Sequence, residues 1–327
     1  MPSQTRVLEI QVSKHEFPLI KPYILSFDTI SVFEAYQVQI AFSSGKVTIG
    51  EVVPLFGYST ETSESIGSFL NTLPDLLENK TVEDARAALV PEINDRPFSV
   101  SAPLTAIDLH EIELDTDIDL NKFEYVVPSS VDKIEELVSL YEKTCLENNG
   151  TLKIKLSGKA SNDIAALQRL APSLEGDKKD LRLDANQAYD WENGERFFTF
   201  LNDYSGRGHI QYIEQPFPVD RWGYNLQLKQ GGVKTPIMLD EAVITLSDID
   251  KTIESGVNII KLKLYKQGGI KELIECATYA NDRGLKVVLG NGVAGELTNR
   301  IEAAVYKQYP HLFERVLEGN GFKKLLQ

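Results

Sequence analysis

Residues 181–217 read LRLDANQAYDWENGERFFTFLNDYSGRGHIQYIEQPF. Two short apolar runs, 181–183 and 210–213, flank a helix-like segment, and each leads into a carboxylate, Asp184 and Glu214. A β-prone run, a crossover helix and a second β-prone run make one unit of a parallel sheet. The unit recurs in both directions. Runs at 125–127, 152–156, 181–183, 210–213, 236–239, 257–264, 285–289 and 313–317 follow one another at intervals of roughly 25 to 30 residues. Between them apolar residues fall at helical spacing, as in Ile134, Leu137, Leu140 and Tyr141, or Ile164, Leu167 and Leu170. Evenly spaced units without a Gly-rich first turn of the dinucleotide type predict an α/β fold closed into a barrel over residues 121–327, in preference to an open doubly wound sheet.

Residues 1–120 are patterned differently. Alternation over 7–12 and 32–42, a turn at Gly45 and a third run at 46–53 predict an antiparallel meander, followed by helices at 61–78, 82–90 and 101–113. This part reads as an α+β domain capping one mouth of the barrel. The break at 54–58 carries Phe56 and Tyr58, which are candidates to line a substrate pocket.

The bulk composition narrows the classes of function. The 327 residues are 42% hydrophobic and 25% charged, ordinary for a folded globular chain. A net charge of −14 without a basic stripe argues against nucleic acid as a partner. No run approaches the roughly 18 apolar residues of a membrane span, and the first residues lack the apolar core of a signal peptide, so a cytoplasmic protein is expected. Cys145 and Cys276 are far apart, with neither disulfide nor thiolate-zinc spacing, and read as buried apolar residues. His15, His110, His209 and His311 show no ligand or triad spacing. Serine-hydrolase and P-loop motifs do not occur.

Barrel active sites form at the C-terminal ends of the strands. There this sequence places Lys153 and Lys155, Asp184 and Asn186, Glu214, Asp240 and Glu241, and Lys261 and Lys263. A single charge at a strand end is an ordinary loop start. Carboxylates at the ends of consecutive strands, however, would repel one another unless a cation neutralised them. An all-oxygen donor set of Asp184, Glu214 and Asp240 suits Mg²⁺, with Mn²⁺ as the alternative, and puts Asn186 and Glu241 around it. Strand alternation sets Lys153 and Lys155 on one face, and likewise Lys261 and Lys263. A lysine crowded by other cations is a usable general base, and lysines from opposite sides of a barrel would flank a substrate held between them. Lys261 adds a further inward lysine, expected to lie against Glu241 or Asp240.

These motifs resemble the enolase superfamily, in particular its muconate-lactonizing subgroup, over nearly the whole chain. TLKIKLSG is similar to the subgroup's KxK strand, LRLDANQAYD, YIEQPF and IMLDEAV to its metal-ligand strands, and KLYKQGG to its opposite-lysine motif. The resemblance implies a (β/α)7β TIM-like barrel with an N-terminal α+β capping domain. It also implies Mg²⁺ on Asp184, Glu214 and Asp240, with Lys155 and Lys263 as acid/base pair and Lys153 beside the substrate. The implied chemistry is removal of the α-proton of a small-molecule carboxylate through a metal-stabilised enediolate. Racemisation or epimerisation of an amino-acid derivative or dipeptide is expected; syn elimination of the o-succinylbenzoate synthase kind and cycloisomerisation stand as alternatives, with a non-catalytic carboxylate-binding barrel as a distant one. A homo-oligomer is expected. Strand seven leads into LGNGVAGE rather than a His, so the His/Asp dyad of the mandelate-racemase subgroup is absent. Where dipeptide epimerases typically carry an Asp-x-Asp pair after strand eight, LEGNGF offers Glu318 and Asn320 as substrate-binding candidates.

Overall fold

The computed structural model describes residues 4–24, 29–54, 60–118, 126–148, 150–176, 178–291, 294–314 and 318–319. Phe56, Tyr58 and Asn320 lie outside the described residues, as does the side chain of Glu318. The chain divides into two compact units, one of residues 1–123, 262–281 and 289–327, the other of 124–261 and 282–288.

The first unit begins with an antiparallel sheet of β1 (Val7–Ile24), β2 (Thr29–Phe42) and β3 (Val47–Val52) in that order. Val38, Ile40 and Phe42 alternate into the core, and Ile10 and Val12 pair with Ile40 and Val38. β1 runs well past the expected 7–12, pairing through Lys14, His15 and Glu16 to Pro18 opposite Val32. Its ladder is made by the backbone, so polar side chains there do not end it. Gly45, at φ 86, makes the turn from β2 to β3.

Helices α1 (Ser63–Leu70), α2 (Leu73–Leu77), α3 (Val82–Leu89) and α4 (Pro97–Glu111) follow. Thr62 and Thr81 cap α1 and α3 with their hydroxyls. The expected third helix at 101–113 starts four residues earlier, at Pro97. Arg96 supplies no side-chain cap there; instead the buried Glu61 carboxylate accepts the amides of Phe98 at 2.9 Å and Ser99 at 2.8 Å. α4 lies so close to β3 that a Cβ on Gly50 would sit 1.9 Å from the Ala102 carbonyl oxygen.

The second unit alternates strand and helix: β4 (Val126–Ser130), α5 (Ile134–Tyr141), β5 (Thr151–Lys155), α6 (Ala160–Leu170), β6 (Leu181–Asp184), α7 (Trp191–Asp203), β7 (Ile210–Glu214), α8 (Trp222–Gln230), β8 (Ile237–Leu239), α9 (Leu246–Glu254) and β9 (Ile259–Leu262). Each strand pairs parallel to the next, from β4 to β9. The repeat read from the sequence is therefore present as sequential βα units. Its histidine is satisfied: buried His209 meets Asp180 at 3.1 Å, and Asp180 also accepts the Tyr141 hydroxyl at 3.0 Å.

The chain continues through α10 (Leu264–Gln267), α11 (Ile270–Asp282), β10 (Lys286–Asn291), α12 (Glu296–Gln308) and β11 (Glu318–Gly319). The run expected as a strand at 257–264 is shorter, because the Lys263 amide donates to the Gln267 side chain and the Lys263 carbonyl accepts Lys266 and Gln267, so Lys263 opens α10. The last strand pairs with β10 at Glu318 and Gly319; of the run expected as a strand at 313–317, residues 315–317 lie outside the described residues, and Phe313 packs as a ring stacked 6.1 Å from Tyr306. No helix among the described residues is long and apolar enough to cross a membrane.

Candidate active site

Parallel pairing puts the charged strand ends of the second unit at one level. Lys155 is in register with Asp184, and Asp184 with Glu214, while Asp240 follows the last residue of β8. Tyr212 and Ile259, two residues before Glu214 and Lys261, join Met238 and Val288 in an apolar cluster one layer deeper. The charges thus stand on an apolar floor, and Asp184, Glu214 and Asp240 are each no more than 1% exposed.

Their partners are lysines. The Lys153 ammonium lies 2.9 Å from Asp184 Oδ2 and 2.7 Å from Glu214 Oε2, and Lys261, 1% exposed, reaches the same Glu214 oxygen at 2.7 Å. Lys155 donates to Asp184 Oδ2 at 2.6 Å and to Asn186 Oδ1. The Asn186 amide donates back to Asp184 Oδ1 at 3.0 Å, and its side chain to Glu241 Oε1 at 3.1 Å. Burial by itself would raise the Asp184 carboxyl, but the ammoniums of Lys153, Lys155 and Lys261 outweigh it and hold the group well below the usual carboxylate range. Such buried pairs balance a large desolvation cost, so deleting one member exposes the other to that cost.

The structure brings Lys153, Lys155, Asp184, Asn186, Glu214, Glu241 and Lys261 into one connected array. Lys261, expected against Glu241 or Asp240, places its ammonium on Glu214. Lys263 belongs to the first unit, where it is 4% exposed with its ammonium 6.0 Å from the Tyr265 ring centre.

As to a metal, no three Asp, Glu, His or Cys side chains stand together in metal-binding geometry among the described residues. The donor chemistry nonetheless fits a hard divalent ion. One oxygen each of Asp184 and Glu214 already converges on a single cationic point, the Lys153 nitrogen, and the oxygens are buried on sheet ends.

Asp163 and Gln215 carry no role in the sequence reading. Asp163, fully buried on α6, accepts the Ser157 amide at 2.8 Å and the Tyr189 hydroxyl at 2.6 Å, tying the turn after β5 to the loop after β6. Gln215 sits within the EQP motif, and what singles it out is its left-handed backbone, at φ 36, and a side chain that accepts the amides of Asp240 and Ala242.

A parallel β/α array with carboxylates and lysines gathered at the C-terminal strand ends defines an α/β-barrel enzyme. The chain belongs to the family described as enolase C-terminal domain-like, whose model matches residues 136–316. It is similar to the L-Lys-D/L-Arg epimerase of Methylococcus capsulatus, 26% identical over 309 residues that cover 87% of this chain and 82% of the relative. The o-succinylbenzoate synthase of Thermosynechococcus vestitus is 25% identical over 244 residues, covering 74% and 71%. Among solved structures, the dipeptide epimerase from Methylococcus capsulatus complexed with Mg and the dipeptide L-Arg-D-Lys superposes with a TM-score of 0.78 at 23% identity, covering 98% of this chain and 92% of that one. The fold is thus the TIM-like barrel with an N-terminal α+β domain expected from the sequence, and the chain is an enolase-superfamily enzyme.

Proposed function

We propose that this enzyme moves a proton at the α-carbon of a carboxylate substrate, racemising or epimerising an amino-acid derivative or a dipeptide. The observation that carries this reading is the buried array in which Lys153, Lys155 and Lys261 engage Asp184 and Glu214 on the apolar floor. An α-proton beside a carboxylate is far too weakly acidic for a lysine alone, so fixed positive charge must meet the negative charge that develops. Asp184, Glu214 and Asp240 would hold Mg²⁺, or Mn²⁺. Bound there, the ion supplies Lewis-acid stabilisation at the substrate carboxylate. Lys153, fixed by two carboxylates, keeps a cation beside that group. Lys155, oriented by Asp184 and Asn186, takes and returns the proton on one face of the α-carbon. Lys263 is assigned the other face by its place in the KLYKQGG motif. Phe56, Tyr58, Glu318 and Asn320 stay candidates for substrate contact on their places in the sequence. A division into a cap of residues 1–120 and a barrel of 121–327 belongs to the same proposal, supported by the change of pattern along the chain. So does a cytoplasmic setting, which two buried cysteines without a disulfide support.

A lyase reading is favoured by the similarity to an o-succinylbenzoate synthase. Incubation in deuterated buffer with N-acyl amino acids, dipeptides and cyclohexadiene carboxylates separates the two. Epimerisation puts deuterium at the α-carbon of recovered substrate with loss of configuration, and elimination releases water. Turnover that survives both chelation and Asp184→Asn would sink the metal-dependent proposal.

A further inference from the structure

Gln215 is the residue after the Glu214 carboxylate, and it adopts a left-handed backbone, φ 36, that side-chain-bearing residues rarely occupy. It is 1% exposed, and its backbone and side-chain polar groups are engaged. The backbone amide donates to the Met238 carbonyl at 2.8 Å, and the backbone carbonyl accepts the Gln187 amide at 2.8 Å. The side-chain oxygen accepts the amides of Asp240 at 3.0 Å and Ala242 at 3.2 Å, and the side-chain nitrogen donates to the Phe217 carbonyl at 2.9 Å. Two amides on one oxygen and a carbonyl on the nitrogen determine which end of the side chain is which.

One residue therefore touches the loop after β6, its own strand end, and the turn after β8. The first of these follows Asp184, the second adjoins Glu214 and the third carries Asp240. The two amides held by the Gln215 oxygen bracket Glu241, so the side chain grips the backbone on both sides of it. β8 is only three residues long and ends one residue before Asp240, so the sheet ladder does not reach the carboxylate's own backbone. The Gln215 side chain takes over where the ladder stops.

We infer that Gln215 is a positioning residue of the metal site. It fixes the Asp240–Glu241 turn relative to Glu214, and so sets the affinity for a divalent cation without touching it. This rests on the proposal that Asp184, Glu214 and Asp240 hold Mg²⁺. Groups that orient ligands from behind typically change metal affinity about 10- to 100-fold when removed.

The test uses the full chain, MgCl₂ titration calorimetry and amide hydrogen exchange. Gln215→Met keeps the length of the side chain and removes its acceptor and donor. It is expected to weaken Mg²⁺ binding about 10- to 100-fold and to speed exchange at the amides of residues 240 and 242. Gln215→Glu keeps an acceptor for both amides, replaces the donor to Phe217 by an oxygen and adds negative charge beside Glu214, so it is expected to bind Mg²⁺ at least as tightly as the parent. Parent-like affinity or unchanged exchange in Gln215→Met overturns the inference. So does a folded Gln215→Glu protein that has lost Mg²⁺ affinity, a result that decides the matter even where Gln215→Met fails to fold. If the parent binds no Mg²⁺ in a manner sensitive to Asp184→Asn, the proposed function fails and the affinity part of the inference with it. The exchange at residues 240 and 242 then still decides whether Gln215 holds that turn.

Discussion

Asp108 on α4 is a fully buried carboxylate whose ionisation should be visible in the stability of the protein. Its Oδ1 lies 3.0 Å from the Arg86 guanidinium, and its Oδ2 accepts the Lys271 amide at 2.9 Å, while Glu272 competes for the same arginine. Burial dominates over Arg86, and Glu272 adds repulsion, so the carboxyl is raised from 3.8 to about 6. In the folded state Asp108 thus keeps its proton to higher pH than in the unfolded chain. Between about pH 4 and 6 the native protein binds more protons than the unfolded one, and stability falls as pH rises through that window. A displacement of about two units corresponds to about 3 kcal/mol, fully present below pH 4 and lost above pH 6. Asp108→Asn has a neutral group at every pH. Whatever fixed cost the amide brings is the same throughout, so the difference between variant and parent should move by about 3 kcal/mol in the variant's favour from pH 4 to pH 7.5. Urea unfolding of both proteins at the two pH values measures it. An equal difference at both would refute the reasoning, and a shift in the parent's favour would mean that Arg86 outweighs burial.

Lys155→Ala and Lys263→Ala should each lose net racemisation, yet each should retain deuterium exchange into a different stereoisomer, read by NMR in deuterated buffer; exchange of both stereoisomers by either single variant contradicts a two-face arrangement. Lys261→Met removes one of two ammoniums from the same Glu214 oxygen and should tighten Mg²⁺ binding at least about tenfold by calorimetry, since like charge beside a ligand opposes the ion; unchanged affinity would show that Lys261 is silent toward the metal. Gly50→Ala drives a methyl into the Ala102 carbonyl, where a Cβ would be 1.9 Å away, and should cost about 3 kcal/mol in denaturant midpoint, with a parent-like midpoint counting against that packing.

The parallel βα order and the candidate charges were legible because both are local. A short β-prone run with apolar residues in alternation, ended by a charge, announces a buried strand and its C-terminal end whatever lies elsewhere, as in TLKIK and IQYIE. Hence Lys155, Asp184 and Glu214 could be named before their shared register was seen. What depended on distant partners was not legible. The early start of α4 needs Glu61, 37 residues away, to hold the amide of Phe98, and the length of β1 needs β2 as a template. That Lys153 and Lys261 meet on a single oxygen of Glu214, and that Gln215 grips the backbone around Glu241, follow from strand stagger and from a left-handed residue. Alternation along one strand says which face a side chain takes. It carries no information on which atom of a neighbouring strand that side chain meets, because that is set by the register and twist of the assembled sheet.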